Sequence, residues 1–390
     1  MRKYIPFNQA SIGEEERTAV LRALDSGALG GNGPISAQAQ ERLRTVLGAR
    51  HVLLTTSCSH ALEMAAMVLQ LGPGDEVIMP SFTFVTTASS VVRQGARPVF
   101  VDIDERTFNL DPEQIERHIT PSTRAIVPVH YAGQSCDMDA ILNIARRHQL
   151  YVIEDAAQGI GARYGGRFLG TIGDIGCFSF HVTKNIVAGE GGAFITNDDH
   201  IAEKAEIIRE KGTNRSKYLR GEVDKYTWVE IGSSFIPSDL LAAIIIAQIN
   251  KMEKIHQQRR AIWQRYREGL CELEQRGDII LPYVQPAAEP NWHIFAFRVT
   301  DVERRDAVLD ELKHRGIGAT FHFVPLHSAP YARARWGYQP EDLPITERVA
   351  ASLIRLPIYP DLSAEDQEYI IETIYDIFAT RQRERCCGGC

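Results

Sequence analysis

"LYVIEDAAQG", residues 150–159, is a short apolar run that ends in two acids, Glu154 and Asp155, followed by small residues. A run of this length, rich in branched and aromatic residues and bounded by turn formers, reads as a strand buried on both faces. It is the last of five such runs. "HVLLTT" (51–56), "EVIMP" (76–80), "RPVFVDID" (97–104) and "RAIVPVHY" (124–131) come before it. Helical patterns such as "SHALEMAAMVLQL" (59–71) and "TFVTTASSVVRQ" (83–94) lie between the runs, and Gly and Pro mark the connections in "LGPGDE" and "QGARP". Strand and helix in alternation predict βα units, hence an α/β domain with a mostly parallel sheet flanked by helices.

From Asp239 the texture changes. Leu241, Ile245, Ile249, Met252, Ile255, Ile262, Tyr266 and Leu270 recur at helical spacing, as one long helix or two in series. "IFAFRVT" (294–300), a charged helix near 303–315, "ATFHFVPLH" (319–327) and a closing helix near 364–379 follow. This predicts a large α/β domain over 1–250, N-terminal segment included. A smaller α+β domain would cover 251–380, and a disordered Cys-rich tail 381–390.

Composition narrows the function. The chain has 390 residues and a formal charge of -7, and no long basic run suggests a nucleic-acid partner. The start "MRKYIPFNQ" makes a poor signal peptide, and the longest apolar run, "LLAAIIIA" (240–247), is far too short to span a bilayer. Of seven cysteines, Cys58, Cys136, Cys177 and Cys271 are scattered, as expected for a cytoplasmic protein. Cys386, Cys387 and Cys390 crowd the tail without a second pair or a His cluster, so no metal site is expected.

Ligands of parallel sheets collect beyond the C-terminal ends of strands. There, Ser57 or Ser59 can cap the next helix, whose free N–H groups suit a phosphate; a plain N-cap explains them equally. Glu154 or Asp155 either caps a helix or holds a protonated ring nitrogen, with Gln158 one turn on. In "GCFSFHVTKN" (176–185), Ser179 ends a strand and Lys184 follows, just before Gly189, Gly191 and Gly192. A phosphate site, an acid and a lysine together suit pyridoxal 5'-phosphate (PLP), which a protein lysine holds as an imine. "GALGGNGP" (27–34), with Gly31 and Asn32, reads as a flexible loop able to border a substrate. Arg215, Lys217 and Arg220 form either a diphosphate site or a solvated charged loop. His130, at a strand end, reads as part of the site floor, and His181, His322 and His327 as structural histidines, with His322 kept as a substrate candidate.

The motifs "PSFTFVTTA", "VIEDAAQGIGA", "GCFSFHVTKN" and "GEGGAF" resemble the DegT/DnrJ/EryC1/StrS sugar-nucleotide aminotransferases, of PLP fold type I. The resemblance runs from "IPFNQASIGEEE" to "LPIYPDLS" (356–363). In "REKGTNRSKYLRGEVDKYTWVEIGSSF" (209–235) it is nearest to the TDP-4-keto-6-deoxy-D-glucose 4-aminotransferases. It implies Lys184 as the catalytic, cofactor-linked lysine, Asp155 at the pyridinium nitrogen, Gln158 at the ring hydroxyl and Phe84 stacked on the ring. Cys58, Ser59 and Ser179 would bind the phosphate. Ser234 stands where many members carry an Asn that reaches the phosphate across a dimer interface. The resemblance further implies a cytoplasmic homodimer with shared sites, L-glutamate as donor, a TDP-linked keto sugar as acceptor, and pyridoxamine phosphate as the intermediate form. A dehydratase would replace Lys184 by His. A 3-aminotransferase is harder to separate. An NAD oxidoreductase lacks its glycine fingerprint here, since "GGNGP" follows no strand. A non-catalytic regulator would not need Lys184, Asp155 and Gln158 together.

Overall fold

The computed structural model describes residues 4–27 and 29–387, with side chains as far as 379. Its centre is a seven-stranded sheet of β1 (His51–Thr55), β2 (Glu76–Pro80), β3 (Arg97–Val101), β4 (Thr123–Ile126), β5 (Tyr151–Asp155), β6 (Ile175–Ser179) and β7 (Gly192–Thr196). In space the order is β1-β7-β6-β5-β4-β2-β3. β7 alone runs antiparallel to its neighbours, so the other six point the same way and end at one edge. β6 and β7 are buried at every position, as expected of strands covered by helices on both faces. On one face, the helices Cys58–Val68 and Asp199–Arg209 give Ala61, Ala65, Ala205 and Ile208 to a cluster with Met79, Ile153 and Phe194. On the other, Ala242, Ile245 and Ile249 of the helix Asp239–Asn250 pack with Leu54, Phe178 and Ile195.

The long helical stretch is two helices in series, Asp239–Asn250 and Met252–Gly269, broken at Lys251. The second begins against the large sheet at Ile255 and ends in another core through Ile262, Trp263 and Tyr266. That core is built on β8 (Ile279–Ile280), β9 (Ala296–Val299) and β10 (Leu353–Arg355), an antiparallel sheet covered by helices Arg305–His314 and Ala364–Cys387.

Two expectations change. The N-terminal segment does not pack with the large sheet at Ile5: that side chain is in the second core, and its backbone bridges Gly316 and Gly318 at 2.9 and 2.8 Å. A lone apolar residue after a charged start carries no sign of which core it will join. The closing helix continues to Cys387, so it covers most of the stretch expected to be disordered. The side chains of Cys386 and Cys387, and all of Cys390, lie outside the described residues.

Candidate active site

Four connections leave the shared C-terminal edge of the sheet, and strand register brings their residues together. Gly192 pairs with Ser179 on one side and with Thr55 on the other. Neighbouring strands are about 4.8 Å apart, so Ser179 and the turn after β1 lie within two strand spacings. Asp155 pairs with Cys177, one strand further.

The turn after β1 leads straight into the helix Cys58–Val68. Ser57, not Ser59, is the cap, accepting the His60 N–H at 3.1 Å. The first turn keeps free N–H groups facing the edge, an anion site by helix geometry. A glycine is required opposite: a Cβ on residue 192 would lie 2.4–2.5 Å from the Ser57 and Cys58 backbone. This contact explains the second glycine of the "GGAF" pattern.

Glu154 and Asp155, adjacent on a strand, point to opposite faces. Glu154 is fully buried and accepts four hydrogen bonds, from Gly170, Ile172 and Gly173 N–H at 2.6–2.7 Å and from His130 Nε2 at 2.8 Å. It clamps the loop before β6 and has no capacity left for a ligand. His130 is part of that scaffold, its Nδ1 accepting the Cys136 N–H at 3.2 Å. Asp155 accepts Thr87 Oγ1–H at 2.7 Å and the Ala157 N–H at 3.2 Å, which orients the carboxylate and leaves acceptor capacity on it. Thr87, itself bonded to Thr83 at 2.8 Å, comes from the helix Val85–Val92, whose N-cap is Phe84. The Phe84 ring is 59% exposed, free to cover a planar ligand.

Gln158 has committed its side-chain oxygen. It accepts the N–H of Ala132 at 2.7 Å, holding that residue in the left-handed region at φ 59°. Its NH2 group has no partner among the described hydrogen bonds and can donate to a ligand. Ser179 accepts the His181 N–H at 3.3 Å and starts the turn that carries Lys184.

Lys184 is half-buried, and desolvation pulls its ammonium below the usual lysine range. Nearby Arg355 pushes the same way, while Cys58 and Asp155 oppose it. Burial pushes the Cys58 thiol up, Asp155 adds to this and Lys184 opposes it. Lys184, Asp155 and the helix start therefore share one electrostatic environment.

The proposed substrate residues fare differently. Gly31 and Asn32 are not in a free loop. Gly31 bridges Ser238, and Asn32 accepts from buried Arg209 at 2.8 Å. Beyond them, Asp239 takes the N–H groups of Gly33, Ile35 and Ser36. Arg215, Lys217 and Arg220 form no open cationic cluster. Arg215 pairs with Glu210, Lys217 with Glu203, and Arg220 with Glu206 at 2.9 Å and Glu222 at 2.7 Å. Ser234 is exposed and bridges Glu210 by backbone. His181 bonds Thr183 at 2.8 Å, and His327 is buried against Ser81 at 2.7 Å. His322 lies near Lys184, stacked on Phe323 at 4.0 Å and bonded to Tyr131 and Arg355.

Sequence reading missed Thr87, Tyr131, Asn185, His293 and Arg355. The neighbour of Lys184, Asn185, bonds His293 Nδ1 at 2.8 Å and the Asn291 carbonyl at 2.8 Å, tying the lysine turn to the chain before β9. Burial, and then the Lys184 charge, hold His293 well below its ordinary pKa. Only the position of Asn185 beside Lys184 was a usable signal.

Comparison with known proteins gives the family. The model of the DegT/DnrJ/EryC1/StrS aminotransferase family matches residues 10–375. The chain belongs to that family. It is 36% identical over 381 residues to the spore coat polysaccharide biosynthesis protein SpsC of Bacillus subtilis, covering 96% of this chain and 97% of SpsC. Among solved structures it is similar to DesV of S. venezuelae, a complex with a ketimine intermediate, at 34% identity and TM-score 0.88 over 96% and 98% of the two chains. It is also similar to the sugar aminotransferase Spr1654 of Streptococcus pneumoniae in its PLP form, at 28% identity and TM-score 0.88 over 95% and 97%. This sugar aminotransferase family member is thus a PLP-dependent transaminase with a mostly parallel α/β fold. Its residues fit the cofactor: a helix start for the phosphate, an oriented carboxylate for the ring nitrogen, an amide with its NH2 group available and a desolvated lysine.

Proposed function

We propose that the enzyme transfers the amino group of L-glutamate to the C4 ketone of TDP-4-keto-6-deoxy-D-glucose, giving a TDP-4-amino-4,6-dideoxyhexose and 2-oxoglutarate. The observation that carries the reading is the convergence of Lys184, Asp155 and the Cys58 helix start at one edge of the sheet. Bound PLP supplies an electron sink for the carbanion formed at the carbon that bears nitrogen. Asp155 keeps the ring nitrogen protonated, and Gln158 donates to the ring hydroxyl. Ser179 and the N–H groups of Cys58 and Ser59 hold the phosphate, and Phe84 covers one ring face. Lys184 attaches the cofactor. Its amine, once displaced, moves a proton at the donor α-carbon and, in the reverse half-reaction, at C4 of the sugar. Desolvation favours the neutral amine that this work needs.

A sugar acceptor is supported by the resemblance of residues 209–235 to the 4-aminotransferase branch and by the polysaccharide role in the name of SpsC. A homodimer is supported by the same segment, which leaves Trp228 76%, Ile231 70% and Leu219 62% exposed. Monomers seldom expose such a run of apolar side chains, and Ser234 next to it would complete the partner's phosphate site. Buried free thiols at Cys58, Cys136 and Cys177 suit a cytoplasmic enzyme, and no described helix is long and apolar enough to cross a membrane.

The test is an absorbance titration of protein loaded with PLP, first with L-glutamate, then with TDP-4-keto-6-deoxyglucose, beside Lys184→Ala. Conversion of the cofactor band by glutamate and its return with the keto sugar are expected, and NMR should place the new amine at C4. A band that forms equally without Lys184 would overturn the site assignment. Amination at C3, or response only to another keto sugar, would move the chain to a neighbouring specificity.

A further inference from the structure

We propose that Asn185 and His293 form an uncharged clasp, joining the lysine turn to the chain before β9, that positions Lys184; the inference rests on the transaminase reading above. Up to Lys184 the turn is fastened by its own backbone. The Val182 N–H bonds the Gly189 carbonyl at 3.0 Å, and the Lys184 N–H bonds the His181 carbonyl at 2.9 Å. Beyond Lys184, the N–H groups of Asn185 and Ile186 have no backbone partner among the described residues. The Asn185 side chain takes over. It is buried and uses both ends of its amide, Nδ2 donating to the Asn291 carbonyl and Oδ1 meeting His293 Nδ1, each at 2.8 Å. Pinning Asn185 in this way fixes the backbone from which Lys184 projects.

The other half of the clasp is itself held. Asn291 donates through Nδ2 to the carbonyls of Gln158 and Ile160 at 2.7 and 2.9 Å. Arg259, from the helix Met252–Gly269, holds the Trp292 and His293 carbonyls at 3.3 and 2.8 Å. Between these ties Trp292 is kept in the left-handed region at φ 59°. A bulky residue stays there only where its surroundings impose it. Asn291 thus fastens both the lysine turn and Gln158, the amide assigned to the ring hydroxyl of the cofactor.

The partners also fix the proton. Asn185 gives its NH2 group to a carbonyl, so its oxygen is the acceptor and His293 donates from Nδ1. Burial first, then Lys184, Arg259, Arg355 and His322, hold His293 well below its ordinary pKa, so the ring stays neutral. The clasp therefore brings no charge to the lysine. Burial lowers Lys184 most; Cys58 and Asp155 oppose it, and Arg355 adds to it. His322 is neutral as well, pulled down to about 2 by burial, Arg355 and Lys184. Burial acts on the amine only while the turn is held inward, which is what the clasp supplies.

The first experiment needs no cofactor. Cofactor-free wild type, His293→Phe, His293→Gln and Asn185→Leu are labelled with acetic anhydride across a range of pH, and the Lys184 peptide is read by mass spectrometry. In wild type the amine should titrate below the ordinary lysine value of about 10.4. His293→Phe keeps a ring but no donor, and Asn185→Leu keeps bulk but no amide. In both, the titration should move up by about one pH unit as the turn relaxes into water. His293→Gln can still donate, and its titration should stay within about half a pH unit of wild type. PLP-loaded His293→Phe should lose about 100-fold in kcat, the cost of a displacement of roughly 1 Å, with KM for both substrates changed by less than about threefold. An unmoved Lys184 titration in folded His293→Phe and Asn185→Leu overturns the proposal. So does a rise in KM with kcat unchanged, which would make His293 a substrate contact. If those variants do not fold, Asn185→Ser, with a shorter polar arm, decides by the same titration. A wild type that forms no lysine-dependent cofactor band defeats the transaminase reading, a separate outcome that leaves the labelling result standing.

Discussion

Two cationic regions of this enzyme invert each other. Arg215, Lys217 and Arg220 are close in sequence and on the surface, yet each faces a glutamate. Arg355 stands alone in the apolar run "LIRLPIYP", yet it is buried with no carboxylate beside it among the described residues. Counting cations would place an anion at the first region. Counting uncompensated charge singles out the second. Surface ion pairs hold their charges at little net gain in stability, whereas a buried unpaired guanidinium gains most from a ligand.

The largest effect that could sharpen this contrast lies beside Arg355. Lys184→Ala should lower turnover roughly 10^4-fold, the upper range for a lost acid–base group, and should abolish the lysine-dependent cofactor band, read by spectrophotometry. Gly192→Ala should come next, because its Cβ meets backbone rather than a mobile side chain. About 2 kcal/mol of stability should be lost, as for an overpacked core, with weaker PLP binding by fluorescence titration. Wild-type stability after the substitution would mean that the helix start and β7 are not held as closely as described.

A smaller effect tests the charge environment itself. The folded pKa of Lys184 is lowered, so between that value and the ordinary lysine value the unfolded chain binds more protons. Stability of cofactor-free enzyme from this group is therefore least at low pH and rises as pH climbs through the window. Denaturant titrations from about pH 8 to about pH 10 should show a shallower rise for Lys184→Met than for wild type. An identical slope would mean that the lysine is not desolvated. Least of all, replacing Arg215, Lys217 and Arg220 together by Ala should change kcat/KM for the sugar nucleotide by less than about threefold, since each charge already has a carboxylate partner. A loss of about 100-fold or more would break the comparison and return the diphosphate to that loop.

The reach of sequence reading follows the range of the interactions. The βα rhythm was legible, and Asp155, Ser179 and Lys184 could be proposed, because a strand end followed by a polar residue is a local pattern. Between Glu154 and Asp155 the local pattern had no means to choose, and Asp155 was preferred through the family resemblance alone. Only the clamp of Glu154 on Gly170, Ile172 and Gly173 shows which acid is free. Likewise, Thr87 meets Asp155 across 68 residues and Asn185 meets His293 across 108. The loop at Gly31 and Asn32 looked mobile for its glycines, and contacts with Ser238 and Arg209 pin it.

By itself, then, the sequence determined a PLP-binding α/β enzyme. Strand periodicity, a helix cap and a lysine after a strand are fixed by neighbours in the chain. Tertiary structure alone decided which charges remain available. Compensation of a charge depends on groups brought within a few ångströms by packing, and the chain places those groups far apart: Glu206 for Arg220, and neutral His322 and the Phe7 ring for Arg355.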